Sequence, residues 1–318
     1  MTPIPHSAWQ SACARGRLDA LAAMSQGGPW PDLVSETPCA SSLLLAADNG
    51  HTDICRRLLQ DGAKVDFANK EGVTPLMVAV LGASQEEGRL DLVNLLLAHG
   101  ADATSSDQDG TSVLMQAAQG GRMETVQKLL AHGAGTTINQ MDSGGHFALL
   151  CGVFSDNVAI VQALLAQGAD PDQQEKPKAT ATHRGDRPMY YAVLQGSVEI
   201  AKALIAAGAD VGLSTSEGHS YLRRAISERR TEMIGVLLEG GADPDAPDLQ
   251  GMSPRQWAYH CGPNCGKEFE TIVAQWQAGR LEAGPSLYDF TITPVPMSEA
   301  TMMAATAPML PSPTAPRV

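Results

Sequence analysis

Glycines set the rhythm of this chain. Gly28, Gly62, Gly100, Gly133, Gly168, Gly208 and Gly241 each close a helix-like run of Leu, Ile, Val and Met, at intervals of 34, 38, 33, 35, 40 and 33 residues. Twelve residues before each lies a second recurrent position, held by Gly16, Gly50, Gly88, Gly121 and Gly196, with Asp156 and Arg229 in the other two repeats. A period near 33 residues specifies a stacked array, in which each unit buries its apolar face on its neighbours. Such an array grows by addition, so 318 residues need no second core.

Within a period the pattern reads as two short helices. The clearest case runs Gly72-Val73-Thr74-Pro75-Leu76-Met77-Val78-Ala79, followed by Leu92-Val93-Asn94-Leu95-Leu96-Leu97-Ala98-His99-Gly100-Ala101-Asp102. Thr74 suits the cap of the first helix and Pro75 its first turn, where a missing amide costs nothing. Gly100 suits a left-handed residue that ends the second helix. The same register opens at Ser41, Ser112, Phe147, Arg187, Ser220 and Ser253. This pattern resembles the ankyrin repeat, whose signature is Thr-Pro-Leu-His-x-Ala.

The resemblance implies an all-α solenoid of about eight helix-turn-helix units with β-hairpin fingers between them. By phase the units cover about 5–35, 36–68, 69–106, 107–139, 140–175, 182–214, 215–247 and 248–278, within a domain of residues 1–280. The outer two read as caps, with Trp9 in the first where Leu is usual, and Phe269, Ile272, Val273 and Trp276 at helical spacing in the last. Residues 281–318, rich in Pro, Ala and Met, read as a disordered tail, in which Leu287 to Ile292 form a short apolar stretch able to dock.

The net charge is −13, which argues against nucleic acid as a direct ligand. Much of the acidity recurs between repeats, as at Asp66, Asp102, Asp107, Asp142, Asp170, Asp210, Asp243 and Asp248. Turn chemistry explains Asp there; the sharper reading is an acidic rim that steers a partner with a basic surface. The six cysteines are scattered along the chain, and Cys13, Cys55, Cys151 and Cys261 fall in helical phases, as packed thiols of a reducing compartment do. Neither a signal peptide nor a membrane span is legible, so a cytoplasmic monomer is expected.

Two insertions break the period. About five residues around Ser84-Gln85-Glu86-Glu87-Gly88 separate the helices of one repeat and read as a solvated loop. The longer break makes Gly168 to Gly185 span 17 residues, against 10 between Gly62 and Gly72. It carries Lys176, Lys178 and Arg184 with Arg187 nearby, and reads as an extended finger that either tolerates insertion or contacts a partner.

No phosphate loop, nucleophile elbow, zinc-protease or dinucleotide motif is present, so neither catalysis nor a cofactor is expected. His260-Cys261-Gly262-Pro263-Asn264-Cys265 gathers two thiols and an imidazole but lacks a second ligand pair, so it reads as the loop between the last two helices and not as a metal site. In the ankyrin fold, specificity resides on the concave side, on fingers and first helices. By phase this implies Phe154, His183, Arg184, Leu194, Gln195, His219, Glu228 and Tyr259 as partner-binding residues. Phe154, Leu194 and Tyr259 are the informative ones, being large apolar groups at phases that face solvent. The expected function is a non-catalytic scaffold that binds another protein. The alternative is a regulator, inhibitor or antidote of a partner enzyme, of the microbial effector or immunity type.

Overall fold

The computed structural model describes residues 6–31, 41–82, 86–176 and 186–283. Cys39, Ser84, Gln85, His183, Arg184 and the apolar stretch at 287–292 lie outside the described residues. Eight helix pairs follow one another: α1 (His6–Ala14) with α2 (Leu18–Ser25), α3 (Ser42–Asp48) with α4 (Thr52–Gln60), α5 (Pro75–Leu81) with α6 (Glu86–Ala98), and α7 (Val113–Gln119) with α8 (Met123–Ala131). After them come α9 (Ala148–Phe154) with α10 (Val158–Ala166), α11 (Pro188–Gln195) with α12 (Val198–Ala206), α13 (Tyr221–Ser227) with α14 (Thr231–Glu239), and α15 (Pro254–His260) with α16 (Pro263–Ala283). We number these pairs as units 1 to 8. Each first helix packs on the next first helix, and each second helix from α4 onward on the next second helix.

Local chemistry fixes where the first helices begin. The hydroxyl of Ser41 accepts from Leu44 N at 3.0 Å, Thr74 from Met77 N at 3.3 Å, and Ser112 from Met115 N at 3.1 Å. Ser220 and Ser253 cap α13 and α15 in the same way. Such a cap contributes about 1 kcal/mol. Units 5 and 6 lack one, because Phe147 and Arg187 occupy that position. Phe147 is committed to the core instead, and Arg187 to the base of the long finger.

The glycine rhythm translates into left-handed backbone at Gly100 (φ 85°), where a β-carbon would clash with the next carbonyl. Where Asp156 and Arg229 replace glycine the backbone keeps the same conformation, at φ 51° and 53°. The fold therefore imposes the turn and the side chain bears the strain. Two positions depart from the pattern. At the close of unit 1 the left-handed residues are Gln26 and Gly27, ahead of Gly28. Gly88, paired with Gly100 by spacing, falls inside α6, since that helix starts at Glu86 and absorbs part of the first insertion.

Among the described residues the fingers are tight turns with no strand. The antiparallel pairing is limited to isolated bridges at Ser106–Ser112 and Ser214–Ser220. Their acidic residues work as turn formers. Asp107 Oδ1 accepts from the amides of Asp109 (3.0 Å) and Thr111 (2.9 Å), Asp142 Oδ1 from His146 N (2.8 Å), and Asp248 Oδ1 from Gln250 N (2.9 Å). Successive fingers also join through the main chain, with Gln108 N donating to Glu71 O at 3.0 Å and Leu249 N to Gly218 O at 3.0 Å. The residues that form these turns are thus the same ones that make the fingers acidic in sequence.

The two outer units hold all four tryptophans, Trp9 and Trp30 in unit 1 and Trp257 and Trp276 in unit 8. Asp61 fastens the first pair, accepting from Trp30 N at 2.9 Å and from Arg57 Nε at 2.6 Å. The Trp30 amide, then Arg57, hold its carboxyl below the usual carboxylate range. At the other end, burial of Asp248 pushes its carboxyl up, but Arg223 and the amides of Met252 and Gln250 outweigh it and hold it low. A depressed folded-state pKa stabilises above the unfolded value of about 4 and ceases to as pH falls through the folded value. Acid titration below about pH 4 is therefore expected to loosen both ends first. Tryptophan fluorescence should change at a higher pH than the far-ultraviolet dichroism of the whole array, and coincident transitions would contradict this.

Candidate functional site

The long break in the period is anchored at both ends by polar groups. On one side stand Asp172, Gln174 and Glu175; on the other stand Asp186 and Arg187. Glu175 N donates to Asp186 O at 3.0 Å and closes the base of the insertion. The Arg187 guanidinium spreads over three acceptors: Asp172 O at 3.2 Å, Ser214 O at 3.3 Å and Gln174 Oε1 at 3.2 Å. The buried Asp186 carboxylate takes both the amide (2.8 Å) and the hydroxyl (2.9 Å) of Ser216 in the next finger. Burial and the neighbouring carboxylates hold the Asp172 carboxyl above its usual range, despite the amide of Asp210.

Beside this base lies a run of aromatic rings. His146 meets Phe154 edge to face at 6.3 Å, Phe154 meets Tyr191 at 4.8 Å, and Tyr191 meets Tyr190 at 5.2 Å. The Arg224 guanidinium lies over Tyr190 at 5.7 Å and pairs with Glu228 at 3.0 Å. Underneath, Glu175 is only 7% exposed. It accepts from the Tyr191 hydroxyl at 2.9 Å and stands 3.7 Å from His146 Nε2, while Asp142 holds His146 Nδ1 at 3.1 Å. Burial, then the Glu175 carboxylate, push the Tyr191 phenol far up, so it donates as a neutral group. His146 and Tyr191 are thus fixed from behind by hydrogen bonds, while Phe154, packed between them, stays 36% exposed. Rigid aromatic groups of this kind give contact area at small entropic cost.

The residues implied by the resemblance divide. Phe154 sits in this run. Glu228 joins it through Arg224. Leu194, at the same helical phase as Phe154 but one unit on, is half-buried, and its carbonyl accepts from Arg230 at 3.3 Å. Gln195 is exposed at the end of α11. His219 lies in the next finger, 3.2 Å from Glu217. Tyr259 is half-exposed, but its phase is that of the buried Val153, Val193 and Ile226, and its ring covers Gly266 of α16. It is therefore a residue of the unit-to-unit face on the last described pair, away from the aromatic run. Tyr190, Tyr191 and Glu175 were not among the implied residues. The available signal was two adjacent tyrosines in α11, where the corresponding positions of α5 hold Met77 and Val78.

A second concavity, a cleft of about 220 Å³ lined by Ala79, Arg89, Val93, Arg122 and Thr125, has a structural use. Arg89 donates to Val78 O at 2.9 Å and Asp48 O at 3.0 Å, and Arg122 to Gly82 O at 2.7 Å and to Val80 O. Both guanidiniums satisfy carbonyls at or near the ends of α3 and α5.

With this geometry in hand, comparison with known proteins decides the family. The family model of ankyrin repeats, in three copies, matches residues 9–86, 81–175 and 174–248. The chain belongs to the ankyrin repeat family. Ankyrin repeat domains generally mediate protein–protein interaction and are typically non-catalytic. Among its relatives are the Caenorhabditis elegans ankyrin repeat and KH domain-containing protein mask-1, 29% identical over 170 residues, and the Gallus gallus nuclear factor NF-kappa-B p105 subunit, 28% identical over 208 residues. These alignments cover 54% and 63% of the chain but 6% and 20% of the relatives, so it spans a small part of each. The solved ankyrin repeat domain of Bcl-3 superposes with a TM-score of 0.60 at 24% identity, over 76% of this chain and all of that one, which shows a shared fold. No helix among the described residues is long and apolar enough to cross a membrane.

Proposed function

We propose that this ankyrin array is a non-catalytic binding module whose partner is another protein, held on the finger and first-helix face of units 4 to 7. The observation that carries this reading is the aromatic run from His146 through Phe154 and Tyr191 to Tyr190, braced from behind and partly open to solvent. At the phase of Phe154 the units on either side of the run, 4 and 7, carry the polar Gln119 and Ser227. The acidic fingers add a field that favours a basic partner surface and speeds its approach.

The test begins with affinity capture on the full chain and identification of the bound protein by mass spectrometry. Titration with Phe154→Ala and Tyr191→Ala then reads the contribution of the rings. Each substitution is expected to weaken binding by about tenfold or more, the loss typical of a central aromatic anchor. Raising salt should slow association with little change in dissociation. Unchanged affinity in both variants would refute this placement. Where the captured protein is an enzyme, its activity with and without the array separates a scaffold from an inhibitor.

A further inference from the structure

The sequence His260-Cys261-Gly262-Pro263-Asn264-Cys265 is not a loop throughout. Helix α15 ends at His260, Cys261 is its cap, and α16 already starts at Pro263, where proline's missing amide is harmless. Cys265 therefore sits in the first turn of α16. The chain reverses at Gly262, with φ 129°, a conformation open to glycine. Both thiols therefore stand at this one corner, four residues apart in sequence, Cys261 on the cap of α15 and Cys265 in the first turn of α16.

These two cysteines differ from the other described ones. Cys13, Cys55 and Cys151 are buried, and burial pushes the Cys151 thiol up to about 12. Cys261 is exposed and Cys265 partly so. Among the described residues no three His, Cys, Asp or Glu side chains converge as a metal site. We propose that Cys261 and Cys265 form a redox-active dithiol that a low-molecular-weight disulfide, such as oxidised glutathione, converts into a disulfide across the α15–α16 corner.

Exposure assigns the order of events. The Cys261 thiolate attacks one sulfur of the small disulfide, forms a mixed disulfide and releases one small thiolate. The Cys265 thiolate then attacks the Cys261 sulfur and releases the second. The protein dithiol loses two electrons and two protons, the small disulfide gains both, and two small thiols leave. Burial, then the neighbouring Cys261, hold the Cys265 thiol above its usual range, which suits the resolving position, while Arg229 acts in the opposite direction. The bond would fix the corner on which Trp257 and Tyr259 are mounted, in the last described unit.

The experiment uses the full reduced chain, incubated with oxidised glutathione at about pH 8, where thiols begin to ionise. Alkylation, intact mass and peptide mapping follow. The expected product is lighter by two hydrogens, with Cys261 and Cys265 protected and Cys13, Cys55 and Cys151 still alkylated. Cys265→Ser should stop at a glutathione adduct on Cys261, and Cys261→Ser should react about tenfold more slowly or less. Circular dichroism confirms that both variants are folded. Wild-type chain that keeps both thiols alkylatable, ends as a stable Cys261 adduct, or links to a second chain overturns the proposal, as does Cys261→Ser reacting at the wild-type rate.

Discussion

Arg223→Ala is expected to destabilise the last unit by about 3–5 kcal/mol, the loss that follows when one partner of a buried ion pair is removed. Arg223 reaches from α13 to the carboxylate of Asp248, whose side chain is 0% exposed. It also lays its guanidinium over the Trp257 ring at 4.1 Å. One side chain thus ties unit 7 to the finger and the first helix of unit 8. Alanine leaves a carboxylate in a dry site with only amide donors, and it uncovers the indole. In an array whose stability is a sum of neighbour terms, the damage stays local. The fluorescence of Trp257 and Trp276 should report unfolding at a lower urea concentration, while hydrogen exchange in α5 to α10 stays near wild type. Coupling supplies the control. Arg223→Met combined with Asp248→Asn should cost less than Arg223→Met alone, because a neutral amide keeps the turn without an unpaired charge. If the double variant is as unstable as the single, packing on Trp257 and not the charge carries the effect.

The repeat itself was legible because its physics is local. Thr74, Pro75 and Gly100 each act on the backbone within one turn, and each does in the structure what its chemistry dictates. The apolar stripe of α16 is of the same kind, with Phe269 and Val273 buried. The candidate site is a different matter. Phe154 could be named from its phase, but the rings that fix it come from the neighbouring unit, across the longest insertion. Whether Tyr191 meets Phe154 depends on how two units stack, and a 40-residue spacing hides that registration. Glu175 is further from view. A glutamate in a polar segment reads as solvated, yet here it is the buried acceptor for Tyr191. Tyr259 shows the converse: its phase is that of the buried Val153, Val193 and Ile226, yet it stands half-exposed on the last described pair. The loop expected at Cys261 to Cys265 gave way to a helix start, because Pro263 favours the first helical turn over the turn before it.

Trp9→Ala is expected to cost about 3–5 kcal/mol, the range for emptying a large buried aromatic site. Trp9 is 0% exposed, and its indole N–H donates to Pro31 O at 3.1 Å. It meets Trp30 edge to face at 5.7 Å, and Arg57 lies over that second ring at 5.7 Å. Two loosely patterned helices are thereby clamped to α3 and α4 by a pair of indoles. Among the described residues of this unit, Leu21 is the one large aliphatic side chain in the buried core. Deleting Trp9 should release α1 and α2 as one piece and bare the side of α3 on which α1 packs. An uncovered internal face makes an array prone to association, so the variant should lose solubility as well as stability. Hydrogen exchange is the decisive measurement. Amides of α1 and α2 should lose protection first and those of α3 next, while α9 to α13 remain protected. A uniform loss along all units would mean that the array unfolds as a single cooperative block and that unit 1 is an integral part of it.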